Sequence, residues 1–307
     1  MKSDATLDII AMGEPLVEFV CIDPDEEART YRKGFGGDTS NAAIAAARQG
    51  AKVGYITALG RDEFGDDLIT LWQEENIDTS AVLRSDKAAS GVYFVRPHAS
   101  GRQFSYLRAN SAASQFCAED LNSDYIANAR ILHISAISQA ISHPMRDAVS
   151  EAINIARKSD VLVSYDTNLR LKLWSLEDAK TAIFNAMANT NIAMPSDDEA
   201  ELLTGLKSTD EIIQYFLGLG VEIVVLKRGA SGAIIATKDK HELIAPAPVT
   251  AIDSTGAGDA FAGAFLAYYC ETGNPFEAGH RAAQVAAGTV GGYGAIEPIP
   301  HRSQITF

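Results

Sequence analysis

The sequence predicts an α/β protein, a mostly parallel sheet flanked by helices, with a small second β-sheet standing apart from it. Three observations carry this. From about residue 128 onward, short β-branched runs alternate with amphipathic segments of helical period, the pattern of repeated βαβ units. Residues 223–226, Ile-Val-Val-Leu, form a continuous apolar run of the kind buried on both faces of a parallel sheet. The first third instead carries strand-like runs joined by loop residues.

In chain order, residues 14–20 read as extended. Residues 91–96 and 103–108 are strand-like, and Pro97-His-Ala-Ser-Gly101 between them is loop chemistry, so the pair reads as a β-hairpin. These pieces predict a small antiparallel sheet that is an insertion rather than an independent unit, so that residues 1–307 make one α/β domain. Its apolar residues Val92, Phe94 and Phe104, expected to be exposed, would gain by pairing with another copy, which predicts a homo-oligomer through this sheet. Residues 129–134, 161–165 and 191–194 read as strands, with helices over 145–156 and 176–188 between them. A helix over 209–219 is stopped by Gly220, and two long helices run from about 258 to 271 and from 275 to 288.

Of the 307 residues, 47% are hydrophobic and 21% charged, too apolar a mixture for a disordered chain. Lys and Arg number 26 against 40 Asp and Glu, and the resulting net charge of −14 repels nucleic-acid backbones and anionic lipid. Any anionic ligand must then be held by a local device: backbone N–H groups, a few placed cations or a metal ion. Cys21, Cys117 and Cys270 have neither disulfide nor metal-ligand spacing and read as residues of a reducing compartment. The amino terminus carries acids where a signal peptide has a basic start and an apolar core. The longest apolar run, residues 260–270, is interrupted by Gly263 and falls short of the roughly 20 residues that cross a bilayer. A soluble, cytoplasmic protein with no nucleic-acid or membrane partner is expected.

The strongest chemical signal is Asp253-Ser-Thr-Gly-Ala-Gly-Asp259, immediately ahead of an apolar helix. Glycines before a helix let the N–H groups of Gly256, Ala257 and Gly258 converge on one spot, where the helix dipole also favours negative charge. Asp259, ionised at neutral pH by its reference pKa of about 3.9, could take a proton from a hydroxyl that attacks a phosphoryl group beside this cradle. Taken alone, it could equally cap the helix. Near the other end of the chain, Gly34-Phe-Gly36-Gly37-Asp38-Thr-Ser-Asn41 precedes an Ala-rich helix. Asp38 and Asn41 could bind several hydroxyls at once, as polyol recognition requires, or Asp38 or Thr39 could cap that helix. Lys227-Arg-Gly229-Ala-Ser-Gly232 is a strand ending in a glycine turn, where the backbone could approach a nucleotide closely. Neither a P-loop nor a G-x-G-x-x-G fingerprint occurs.

In order and spacing these three segments resemble the ribokinase-like (PfkB) carbohydrate kinases, over essentially the whole chain. The resemblance implies a ribokinase-like doubly wound sheet, with the small β-sheet (segments of about 13–37 and 89–110) as a lid over the sugar. It implies ATP on the carboxyl-terminal half and Mg2+ bridging the phosphates. By the same resemblance Asp259 is the catalytic base, and Gly256, Ala257 and Gly258 form the anion hole. Gly36, Gly37, Asp38 and Asn41 contact the substrate, while Lys227, Gly229 and Gly232 line the ATP pocket with Gly256 and Gly258. Glu199 matches the acid of the family's Asn-x-x-Glu motif, which helps to place Mg2+ through water. The chain departs from that motif at its first position, which is Ser196, here assigned to the nucleotide site; Asp197 and Asp198 read equally as helix N-terminal acids. Activation by a monovalent cation such as K+, common among ribokinase-like enzymes, is left open.

Tyr106-Leu-Arg108 on the second hairpin strand and Asp166-Thr-Asn168-Leu-Arg170 beyond a predicted strand, with residues 36–41 and the opening Gly13-Glu-Pro-Leu-Val17, resemble the 2-keto-3-deoxygluconate kinases within the family. Two arginines brought together from the hairpin and the sheet edge could clamp a carboxylate. The resemblance implies ATP-dependent phosphorylation of 2-dehydro-3-deoxy-D-gluconate at its 6-hydroxyl. Tyr93 and Tyr106 would line the sugar pocket, and Arg108 and Arg170 would hold the acid. From the residues alone, Arg108 reads as well as a solvated strand residue, Arg170 as a structural ion-pair partner and Tyr93 as packing. Fructokinase, which shares the phosphate machinery, is the nearest alternative; a catalytically silent sugar sensor is a more distant one, against which the intact Gly256-Ala-Gly-Asp259 stands.

Overall fold

The computed structural model describes residues 5–23, 29–98 and 101–305. Residues 1–4, read above for a signal peptide, residues 24–28 of the expected lid segment, and Ala99 and Ser100 at the hairpin tip lie outside the described residues. The strands, in chain order, are β1 (Leu7–Met12), β2 (Leu16–Cys21), β3 (Tyr31–Gly36), β4 (Val53–Gly60), β5 (Val82–Ser85), β6 (Val92–His98), β7 (Gly101–Leu107), β8 (Ala129–Ser135), β9 (Leu162–Asp166), β10 (Ile192–Met194), β11 (Ile223–Lys227), β12 (Ala233–Ala236) and β13 (His241–Ile244). Nine of these form one sheet in the order β13-β12-β11-β10-β9-β8-β1-β4-β5, and four form a smaller one in the order β3-β2-β6-β7. Neighbours run parallel from β11 to β5 and antiparallel at β12 and β13. The chain lays β4 and β5 to one side of β1 and β8 to β11 to the other, so the order reverses between β1 and β8. At such a reversal the loops leaving adjacent strands part in opposite directions and open a crevice at the carboxyl ends.

Central strands are apolar throughout because both faces are covered. In β1, Ile9 and Ala11 share a core with the helices Asp38–Arg48, Ala257–Thr272 and Pro275–Val290. Ile10 and Met12 point the other way, into a core shared with the helices His143–Lys158 and Leu176–Met187. The same alternation in β11 separates Ile223 and Val225 from Val224 and Leu226. Helix starts follow capping chemistry. Ser142, Ser175 and Ser208 each accept an N–H from the first turn of His143–Lys158, Leu176–Met187 and Thr209–Gly218.

Gly263 lets two helices approach closely. A Cβ there would stand 2.0 Å from the Ala42 carbonyl oxygen, so only glycine lets Ala257–Thr272 lie this near to Asp38–Arg48.

The small sheet departs from the antiparallel expectation. The pairs β2/β3 and β6/β7 are antiparallel, but β2 and β6 run parallel, from Val17 opposite Val92 to Val20 opposite Val95. The cause is connectivity: the chain makes two separate excursions from the body, and their leading strands lie side by side. Exposure of Val92 is likewise not found. It is 7% exposed and joins Val17 in the body's core, Phe94 stacks on Phe19 at 5.3 Å, and of the three residues only Phe104 is largely open to solvent.

Candidate active site

The crevice at the sheet reversal collects side chains from the carboxyl ends of several parallel strands. Lys227, closing β11, donates from Nζ to Asp166 Oδ2 at the end of β9, at 2.5 Å. Asp166 Oδ1 accepts the Asn168 N–H at 3.1 Å, and Asn168 Nδ2 reaches Asp38 Oδ2 at 3.0 Å. Burial opposes the Lys227 charge, but Asp166 overcomes it, with Glu199 adding, and holds the ammonium above the ordinary lysine range.

Asp38 and Asp259 open the first turns of their helices, yet neither is a cap. The N-caps are Gly37 and Gly256, with no side-chain capping bond at either. Asp259 Oδ2 instead accepts from Asn41 Nδ2 at 2.9 Å, bridging the two helices that Gly263 brings together. Asn41 Oδ1 is buried with no hydrogen-bond partner, an acceptor facing the crevice chemistry and suited to a hydroxyl. Burial pushes the Asp259 carboxyl up to about 7, and the neighbouring Asp38 adds to the rise. Asp38 is raised too, by burial first. Two acids that repel in a half-buried site are poised to take protons.

The turn ahead of Asp259 is fixed from both sides. Asp253 Oδ1 accepts the Thr255 N–H (3.0 Å) and hydroxyl (2.7 Å), and its Oδ2 accepts the Gly294 N–H (3.1 Å). Gly256 has φ 74, and a Cβ on it would press to 2.8 Å from the Ala295 carbonyl oxygen. The helix Ala257–Thr272 therefore begins with its first N–H groups uncapped by any side chain, and Lys227 Nζ lies 3.8 Å from where a Gly258 Cβ would be. An ammonium beside a helix amino terminus is a receptor for phosphate.

Gly229 opens a short 3-10 turn, Gly229–Ser231, and at Gly232 (φ 84) a Cβ would meet the Ile244 carbonyl oxygen at 2.1 Å. Ser196 precedes the helix Asp197–Thr204 and bonds Asp198 at 2.7 Å, while Asp197 pairs with Arg228 at 3.0 Å. Both oxygens of Glu199 are engaged, by the Thr167 hydroxyl at 2.7 Å and the Leu169 N–H at 2.8 Å. No cluster of three or more His, Cys, Asp or Glu suited to a metal occurs among the described residues. Glu199 is thus held too firmly to be a free ligand and fits a metal whose coordination comes mainly from phosphate and water.

At the other end of the crevice, Tyr93 is buried on β6 and donates to Glu18 Oε1 at 2.7 Å. It stacks on Tyr106 at 5.6 Å, and its hydroxyl lies where a Cβ on Gly36 would collide. Gly37, at φ 110, passes within contact of Glu14. Arg108 pairs with the fully buried Glu14 and lies 5.5 Å from the Tyr106 ring centre; Arg170, with a side chain 53% exposed, sits 3.5 Å from Glu199. Both arginines draw the Tyr106 hydroxyl down, against burial, which raises it. The structure joins Asn41 to Asp259 and sets Asp38 beside them, and it adds three partners that sequence reasoning missed: Asp166 on Lys227, Asn168 on Asp38, and Glu14 on Arg108. The Asp-x-Asn spacing of 166 and 168 was the signal available for the first two; nothing local marks Glu14.

A family model described as pfkB family carbohydrate kinase matches residues 7–302. The 2-dehydro-3-deoxygluconokinase of Dickeya dadantii is 30% identical over 96% of this chain and 98% of its own. Fructokinase-1 of Zea mays is 34% identical over 84% of this chain and 81% of its own. Among solved structures, an E. coli protein described as Ribokinase II, in complex with ATP and Mg2+, superposes with a TM-score of 0.90 at 26% identity, covering 97% of each chain.

Proposed function

We infer that this chain, which belongs to the pfkB family of carbohydrate kinases, phosphorylates 2-dehydro-3-deoxy-D-gluconate at its 6-hydroxyl with ATP. The observation that carries the choice of an acid sugar is that the Arg108 guanidinium stands over the Tyr106 ring, 5.5 Å from its centre, and that Arg170 lies near enough to join it in drawing the Tyr106 hydroxyl down against burial. On this reading Asn41 and Asp38 hold sugar hydroxyls, and Asp259 takes the proton of the attacking hydroxyl as the new O–P bond forms. The N–H groups of Gly256, Ala257 and Gly258, with Lys227, then receive the charge on the transferring phosphoryl group. Gly229, Gly232 and Ser196 shape the nucleotide site. Mg2+, which neutralises phosphate charge when bound, would be placed through water by Glu199. The small sheet serves as the lid of a single unit. Its edge strand β7 exposes Phe104, Tyr106 and Leu107, a surface suited to pairing two copies.

Fructokinase is the second reading. Both arginines already have carboxylate neighbours, Glu14 and Glu199, which compensates the charge a sugar acid would seek and suits a neutral sugar. The test is steady-state turnover with each sugar at saturating ATP. The expected result is a kcat/KM for the keto-deoxy acid well above that for fructose; the reverse order replaces the first reading by the second.

A further inference from the structure

We propose that Glu14 is a positioning residue for sugar-acid recognition: from the joint between the two sheets, its carboxylate aims the Arg108 guanidinium into the cleft. The proposal deepens the sugar-acid reading above and rests on it. Two excursions of the chain build the small sheet, so each leaves the body once and returns once: by residues 13–15 and 37, then by 86–91 and 108–111. All of these passages meet at Glu14. It lies on the first; its carbonyl oxygen would be 2.5 Å from a Cβ on Gly37, and its Oε1 3.4 Å from one on Gly91. Its Oε1 also accepts from the Ser111 hydroxyl at 3.1 Å, and its Oε2 pairs with Arg108 Nη2.

Glu14 is 1% exposed. Burial raises its carboxyl, and Arg108 is the chief influence drawing it down. A guanidinium has five N–H donors in a fixed plane, and a pair made through Nη2 leaves Nε and Nη1 to meet a ligand's carboxylate. Arg108 would otherwise be a long side chain free to sample many rotamers at the end of a strand. Tied to Glu14, its direction follows the joint between sheet and body.

The experiment measures KM for 2-dehydro-3-deoxygluconate, KM for ATP and kcat in wild type, Glu14→Gln, Arg108→Met and the double variant. Glu14→Gln is expected to raise the sugar-acid KM about tenfold while kcat and the ATP KM change by less than about threefold. Adding Glu14→Gln to Arg108→Met is expected to change the sugar-acid KM no further, because Glu14 acts only through that arginine. An unchanged sugar-acid KM in Glu14→Gln overturns the proposal, as does a loss spread equally over both substrates and kcat. If Glu14→Gln does not fold, the comparison of Arg108→Met with the double variant, which has no unpaired buried charge, decides alone: a further rise in KM overturns it. A wild-type enzyme that prefers fructose removes the sugar-acid reading itself, a result distinct from failure of Glu14 in an enzyme that prefers the acid.

Discussion

Around Asp259 the chain works with backbone: Gly256 in the left-handed region, a helix start left uncapped, and a Gly263 that lets one helix touch another. Around Tyr106 it works with charged side chains drawn from distant segments, Arg108 with Glu14 and Arg170 with Glu199. Backbone devices recognise what every phosphate shares, and they are rigid because a helix cannot bend locally without losing hydrogen bonds. Side-chain devices distinguish one ligand from another and can be exchanged one residue at a time. On the proposed function the difference separates reaction from selectivity, and four measurements bear on it.

The largest effect is expected from Asp259→Asn. It should lower kcat about a thousandfold, within the range for general-base removal, while calorimetry finds sugar binding little changed. Retained turnover would move the base elsewhere.

Next is pH. With the Asp259 carboxyl raised to about 7, the active, ionised form is lost as pH falls below that value, and kcat/KM should drop about tenfold per unit on the acid side. Stability runs the other way. A carboxyl raised by burial stabilises the fold below its ordinary pKa, and that contribution is lost as pH rises through about 7. Asp259→Asn should therefore melt above wild type at pH 8 and equal to it near pH 4.

Gly263→Ala comes third. The added methyl meets the Ala42 carbonyl and should cost about 1–3 kcal/mol in denaturant titrations, as overpacking does. Parting the Asn41–Asp259 contact should reduce kcat more than the sugar KM. Arg170→Ala, at a half-exposed position, should raise the sugar-acid KM only about three- to tenfold and leave kcat nearly unchanged. An effect larger than that of Asp259→Asn would erase the division between the two ends.

Both ends were not equally legible in the sequence. Periodicity gave the helices His143–Lys158 and Leu176–Met187 nearly to their ends, because the signal is local. The glycine-rich turn of residues 253–259 ahead of a helix was legible for the same reason. The parallel pairing of β2 with β6 could not be read, since it depends on how two excursions lie in space rather than on either one. Nor could the pairing of Glu14 with Arg108, separated by most of the small sheet. Gly263 was noticed only as a break in an apolar run; its meaning required the Ala42 carbonyl opposite.

That missing methyl has a consequence for timing. The carboxylate at 259 and the amide at 41 sit on two helices whose spacing is set where Gly263 meets Ala42. On the proposed reading, that packing would keep their separation the same whether or not a sugar is bound. If the small sheet serves as the proposed lid, its movement would then have only to shut out water and seat the ligand, and the proposed proton-transfer geometry would need no assembly in each catalytic cycle.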